Sequence, residues 1–299
     1  MARIPVKISV GMPVYNGEQY LEEAIRATLE QTYGDFELII SDNASMDKTE
    51  IICRDFAASD SRIKYIRNSV NIGAAGNYNQ LFHLAEGEYF RWFNADDLCS
   101  EHLHERCLKV LEARPDAVMC YGKTDIIDGE GRLLQHYDDN LDLQQDDVVT
   151  RFKTYFEVVG LTNAIYGLMR HSALKHTALM GNGSFHAADT NLMGELTLYG
   201  KIVEIPETLF FRRMHEDASS WDRKNTSVQQ TFWTGQNKKF VLPTLKKHLA
   251  YIKAIQKSPN GFMGKLQMDL YILRRAVWHR QLIGAEISQF LKTRGEQQT

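Results

Sequence analysis

The sequence predicts an α/β fold, a mostly parallel sheet with helices on both faces, followed by a basic helical extension. Three observations predict it. Short β-rich runs alternate with amphipathic helical stretches as far as residue 123, the pattern of βαβ units. Strand-like runs continue less regularly to about residue 213. Near residue 220 the charge balance changes, from an acidic front to a tail with many Lys and Arg and few acids.

The elements follow in order. Residues 7–12 (KISVGM) form a β-rich run ended by Pro13 and the Asn16-Gly17 turn. Glu18–Gln31 reads as a helix with Leu21, Ala24, Ile25, Thr28 and Leu29 on one face. After a strand at Phe36–Ser41, a helix runs from about Lys48, with Asp47 as N-cap and Glu50 in capping-box register. Ile63–Arg67, Tyr89–Phe93 and Ala117–Lys123 are further strands, separated by helices over Ala74–Ala85 and His102–Ala113. Ile126–Leu134 has the form of a hairpin around Gly129–Gly131, and the acidic, polar stretch 137–150 that of a mobile loop. Ala164–Arg170 adds a strand and Asp189–Tyr199 a helix, and two short strands, Ile202–Ile205 and Leu209–Arg213, flank Pro206. Beyond Trp221 the pattern is helical, broken at Ser258-Pro259-Asn260-Gly261.

Composition narrows the function. A chain of 299 residues can hold one large domain, with or without a smaller appendage. A formal charge of −3 gives no reason to expect nucleic-acid binding. Cys53, Cys99, Cys107 and Cys120 form no CxxC pair and read as reduced, partly buried thiols. With neither a signal-peptide pattern nor an apolar run long enough to span a bilayer, the expected location is the cytoplasm. The first strand is not followed by GxGxxG, which disfavours a nicotinamide dehydrogenase. Nor does PVYNGEQ resemble the Gly-rich, Lys/Arg-bearing first loop of a nucleotidyltransferase.

Ligands of open parallel sheets bind beyond the carboxyl ends of the strands. Four successive strand ends here carry Asn or Asp: Pro13-Val14-Tyr15-Asn16, Asp42 to Asp47, Asn68 with Asn71-Ile72-Gly73, and Asn94-Ala95-Asp96-Asp97. Such residues are common in loops for their turn geometry alone. Two adjacent carboxylates after the apolar strand EYFRWF ask for more, because like charges side by side need a cation or a proton. A hard divalent ion shared with substrate phosphates would satisfy them, and so in part would a helix-capping role near Ser100.

The strings ISVGMPVYN (8–16), SDNASMDKT (41–49), NIGAAGNYN (71–79) and NADD (94–97), in this order and spacing, resemble the inverting glycosyltransferases of family 2, which have the Rossmann-like GT-A fold. The resemblance covers roughly residues 6–215. It implies a catalytic domain over 1–220, with nucleotide-sugar binding in about 1–125 and the acceptor part in about 126–220, and 221–299 as the helical extension. It implies a metal-dependent transfer, with Mn2+ or Mg2+, from a UDP- or TDP-sugar to a hydroxyl of a glycan or lipid-linked acceptor, in cell-surface polysaccharide synthesis. Pro13, Tyr15 and Asn16 match the loop along the nucleotide, with Tyr15 close to the base. Asp42 matches the acceptor of a pyrimidine N3–H, which uracil and thymine have and cytosine lacks. Asn71, Gly73 and Asn77 match the segment near ribose and base, although Gly76-Asn77 departs from the Arg often found there. Asn94-Ala95-Asp96 stands where the family carries Asp-x-Asp, which leaves Asp96 as the chief metal ligand and Asp97 to support the loop or orient the sugar. Asp189 matches the general base, with Ala188 in place of a preceding Glu; the alternative is a helix N-cap, and Asp217 is a lesser rival. His215 matches a histidine approaching the metal or diphosphate, with Arg212 or Arg213 able to offset phosphate charge. His186 is an alternative acceptor-site residue.

Leu266, Leu270, Leu273 and Val277 fall at helical spacing, flanked by Arg274, Arg275, Trp278 and Arg280. Either the tail makes peripheral contact with an anionic membrane face, or it packs on the catalytic domain or another subunit. Asn94 and Ala188 in place of acids also admit a different class, a catalytically weak nucleotide-sugar-binding protein.

Overall fold

The computed structural model describes residues 6–181, 188–216, 232–234 and 242–296. Strands β1 (Ile8–Val14), β2 (Phe36–Asp42), β3 (Ile63–Arg67) and β4 (Tyr89–Trp92) lie parallel in the order β3-β2-β1-β4. Alternation along β1 explains the two covered faces. Ile8, Val10, Met12 and Val14 join one core with Leu21 and Ile25 of α1 (Leu21–Leu29), Cys53 of α2 (Thr49–Ser59) and Leu108 of α4 (Leu103–Ala113). On the other face α3 (Gly73–Leu84) comes so close that a Cβ on Gly11 would lie 2.9 Å from the Leu81 Cβ. All four cysteines are buried free thiols, as expected.

The sheet continues as a mixed one. Strands β5 (Leu98–Cys99), β6 (Ala117–Ile127), β7 (Leu133–Tyr137), β8 (Leu168–Arg170) and β9 (Lys201–Arg213) complete it, with β8 antiparallel to both β4 and β6. The two short strands expected around Pro206 are one strand, parallel to β6. Its register shifts between Gly122 and Lys123, which leaves Pro206 and Glu207 out of the ladder, where a residue without an N–H is tolerated. The expected hairpin is present with longer arms, closed by Gly131 at φ 81°. Strand β5, two residues long, gave no periodic signal.

Residues 137–150 are not a free loop. Leu141 and Leu143 are fully buried, Leu143 pairs with Ile202, and Asp147 accepts from Thr150 N at 2.8 Å to start an unpredicted helix, α5 (Val148–Val158). At α2 the side chain of Asp47 does accept from Thr49 N, at 3.0 Å. Glu50 does not close a capping box; it bonds Arg54 and pairs with Arg67.

After a 3-10 turn (Asn163–Tyr166) and the short helix α6 (His171–Leu174) come α7 (Ala188–Leu196), α8 (Pro243–Lys257), α9 (Phe262–Trp278) and α10 (Arg280–Glu296). The tail packs on the sheet-bearing body: Tyr251 and Ile255 of α8 and Met268 and Ile272 of α9 share a cluster with Phe152 and Leu198. Gly194 permits this approach, since a Cβ there would meet the Tyr251 ring at 2.8 Å. The Leu266, Leu270, Leu273 and Val277 stripe lies on the other side of α9, 40–60% exposed. No described helix is long and apolar enough to cross a membrane.

Helix α7 also carries Glu195, which is buried and accepts from Ala178 N at 2.8 Å and Asn191 Nδ2 at 3.0 Å. Burial pushes its carboxyl up to about 7, against those two bonds. The native state therefore binds more protons than the unfolded chain between the ordinary carboxylate range and pH 7. Stability falls as pH rises through that window. Glu195→Gln should remove this dependence, raising stability at pH 8 by on the order of 2 kcal/mol and leaving it near wild type at pH 5. Denaturant melts at the two pH values check it; equal shifts at both would show that charge is not the cause.

Candidate active site

Strand order reverses between β1 and β4, so the crevice beyond their carboxyl ends is the topological switch point of the sheet. The loops after β1 and β4 meet there: a Cβ on Gly17 would lie 3.8 Å from the Ala95 methyl. Pro13 is buried within β1 beside Ser41, whereas Tyr15 is 47% exposed and free to lie against a planar ligand. Asn16, at φ 51°, accepts from Met46 N with its side chain and donates its own N–H to Ser45 Oγ, both at 2.9 Å. The first two loops are thereby stitched together.

On the β2 side Asp42 is fully buried at its strand end. Its carboxylate accepts from Ser45 N at 2.8 Å, from the Tyr65 hydroxyl at 2.9 Å and from Arg67 Nη1. A carboxylate has about four lone-pair sites, so these donors leave room for one more. Asn71 Oδ1 accepts from Gly73 N at 2.8 Å and from Asn43 Nδ2 at 3.0 Å, and Gly73 takes the left-handed conformation that starts α3. Asn77 is buried, and both ends of its amide bond Ser41, at 2.5 and 2.9 Å. It ties α3 to β2 inside the protein.

On the β4 side Asn94 accepts from the Tyr78 hydroxyl and donates to the Tyr166 hydroxyl at 2.6 Å and to Asp97 Oδ2 at 3.1 Å. Ala95 is nearly buried beside it. Asp97 is buried and accepts from Arg213 N at 2.9 Å; burial, then the Asp96 charge, pushes its carboxyl well above the usual range. Asp96 differs: its side chain is 33% exposed, with Oδ2 3.1 Å from His215 Nε2. The His215 ring rests on Tyr20, centroids 4.8 Å apart. Arg213 is not free to meet a phosphate, for it is 3% exposed and donates to Asp96 O, Gly129 O and Glu23. Arg212 is half-buried and donates to Asn163 Oδ1 at 2.6 Å.

These residues fit a divalent metal as part of its shell. Two ligand atoms at right angles, each about 2.1 Å from an octahedral ion, stand about 3 Å apart. The Asp96 carboxylate and His215 imidazole have that separation. No group of three or more His, Cys, Asp or Glu among the described residues would complete a shell, so diphosphate oxygens and water would supply the rest.

Asp189 lies in the first turn of α7, partly exposed, and accepts from Thr190 N at 2.7 Å. Burial, then the Asp97 charge, raises the Tyr166 phenol, and the Asp189 charge adds to it. His186 and Asp217 lie outside the described residues. Sequence reasoning missed Tyr78, Tyr166 and Asp139. Asp139 is buried, accepts from Asn163 N at 2.8 Å and is pushed up to about 6, by burial first. Tyr166 meets Asn94 across 72 residues, a contact no local pattern announces.

A family model described as "Glycosyl transferase family 2" matches residues 9–177. The Escherichia coli UDP-Glc:alpha-D-GlcNAc-diphosphoundecaprenol beta-1,3-glucosyltransferase WfgD is 33% identical over 120 residues, 40% of this chain and 46% of the relative. The chain spans about half the length of several curated relatives it matches. S. aureus TarS 1-349 in complex with UDP superposes with a TM-score of 0.64 at 16% identity, covering 90% of this chain and 71% of that one. The Pyrobaculum calidifontis mannosyltransferase PcManGT, in complex with GDP-Man and Mn2+, gives 0.55 at 16% identity, covering 96% and 75%.

Proposed function

We propose, for a chain that belongs to glycosyl transferase family 2, transfer of a sugar from a UDP- or TDP-sugar to a hydroxyl of a glycan or lipid-linked acceptor, with inversion, in cell-surface polysaccharide synthesis. The ground for it is membership of the family together with an α/β fold shared with TarS. The observation that carries the finer reading is the pairing of Asp96 with His215 at the switch point, on a loop that meets the one bearing exposed Tyr15. Residues 1–220 would be the catalytic domain, with the donor in about 1–125 and the acceptor in about 126–220.

Asp96 and His215 would hold Mn2+ or Mg2+ against the donor diphosphate; a bound ion neutralises charge as it develops on that leaving group. Tyr15 would lie against the base, and the remaining Asp42 lone pair would accept from N3–H. Asn71 and Gly73 would line the ribose side. Asp97 and Asn94 would keep the β4 loop in shape, Asp97 by receiving Arg213 N. Asp189 would take the proton from the attacking acceptor oxygen. The exposed stripe of α9, with Trp278 and nearby Lys and Arg, would suit peripheral contact with the anionic inner face of a membrane. WfgD, whose name gives a UDP-sugar donor and a lipid diphosphate acceptor, and TarS, seen with UDP, support this choice of substrates.

The experiment is a thermal-shift series with UDP, TDP, GDP and CDP, each with Mn2+, Mg2+ or EDTA. UDP or TDP should stabilise, and EDTA should remove the effect; a ligand at about a hundred times its Kd adds about 2.7 kcal/mol. Stabilisation by GDP alone would overturn the donor class, and indifference to EDTA the metal.

A further inference from the structure

The helices of the tail line a half-open cavity of about 200 Å³, whose lining includes Thr244, Lys247, His248, Tyr251, Arg275 and His279. It shares no residue with the donor loops. We propose that this cavity, between α8, α9 and the start of α10, is an oxyanion site that takes a phosphate group.

Its lining is cationic without matching acids. Arg275 stays protonated in any setting a protein offers, and among the described residues its hydrogen-bond partner is Tyr271 OH, at 3.4 Å. Its guanidinium also lies over the Phe156 ring, 4.7 Å from the centroid, so packing accounts for part of its placement. Lys247 has no such account: among the described residues its amine has neither a hydrogen-bond nor an ion-pair partner. Two carboxylates approach. Glu286 of α10 is occupied by Thr244 N, at 3.0 and 3.2 Å. Asp189 of α7 exerts an attraction on Lys247 but does not bond it. Converging cations in a half-enclosed space repel unless an anion joins them.

The histidine pair supplies the proton logic. His248 Nδ1 lies 2.7 Å from Thr244 O, and a carbonyl can only accept, so that nitrogen carries a hydrogen. In a neutral His248 ring, Nε2 then accepts from His279 Nδ1 at 3.2 Å, which leaves His279 Nε2 as the basic position. Burial, then the His248, Arg275 and Lys247 charges, holds His279 below its usual value, and burial, then Arg275, lowers Lys247 against the pull of Asp189. An entering anion reverses the repulsive part, so its binding should take up a proton and tighten as pH falls.

The test uses the full chain with inorganic phosphate and pyrophosphate in solution and with vesicles of phosphatidylglycerol or phosphatidylcholine. Binding is read by thermal shift or co-sedimentation, and by the histidine NMR signals. Phosphate or pyrophosphate should shift the His248 and His279 signals saturably, more tightly at pH 6 than at pH 8. Lys247→Met should weaken that binding about tenfold, and so should Arg275→Gln, while Asp96→Ala leaves it intact. Lys247→Met keeps the stem of the side chain, so it decides the matter even if loss of Arg275 from the Phe156 face unfolds the tail. A response to phosphatidylglycerol vesicles but not to soluble phosphate, lost in Lys247→Met, would support the same site and identify a lipid headgroup as its source. No response in either arm, or one that Lys247→Met leaves unchanged, overturns the proposal. None of these readouts requires sugar transfer, so the site stands or falls separately from the donor reading.

Discussion

Asp96→Ala should abolish sugar transfer, by about a thousandfold or more, and with it the metal-dependent part of nucleotide binding. Two features make the expectation sharp. The side chain is one-third exposed and meets His215, itself only partly buried, so its removal leaves no fully buried donor orphaned. What Asp96 contributes to the fold is its backbone carbonyl, which accepts from Arg213 Nε at 2.9 Å and survives the substitution. The variant should therefore melt within about 1 kcal/mol of wild type, so that lost activity cannot be ascribed to unfolding. Calorimetric titration of UDP with Mn2+ or EDTA separates the effects. Near-normal turnover, or an unchanged response to EDTA, would refute the assignment of Asp96 to the metal.

The parallel half of the fold and its four loops were legible in the sequence because their signals are local. The alternation of ISVGMPV shows in seven residues, and the loop chemistry follows directly on each strand. The second half was harder to read, since its order comes from distant partners. Leu141 and Leu143 are buried in an otherwise acidic run only because Ile202 and the rest of the sheet meet them. Strand β5 exists because β9 pairs with it, not because two residues prefer an extended form. The site divides in the same way. Asp96, Asp97 and Asn94 stand out by type and spacing, whereas Tyr78 and Tyr166, which hold Asn94 in place, come from elsewhere in the chain. Arg213 is the instructive error of type. A basic residue near a predicted diphosphate site suggested phosphate binding, but three internal acceptors already hold its guanidinium.

Asp189→Asn should leave UDP and metal binding as in wild type and lower the transfer rate by about a hundredfold to ten-thousandfold, the usual range for removing a general base. Asn is chosen because it caps helices as well as Asp does, so a residue whose work is capping would tolerate the change. The geometry already sets Asp189 apart from an ordinary cap. Its Oδ1 meets the N–H of the next residue, Thr190, and not one two or three positions on. Thr190 in turn is held from behind, its carbonyl accepting from the Tyr155 hydroxyl at 2.5 Å and the Tyr251 hydroxyl at 3.2 Å. Tyr155 of α5 and Tyr251 of the tail thus fix the first turn of α7, which carries Asp189. Rates measured at saturating donor, beside the Kd for UDP, decide between the roles. Transfer lost with binding kept is the signature of a base; both kept would make the carboxylate dispensable, and both lost would mean that α7 itself had moved.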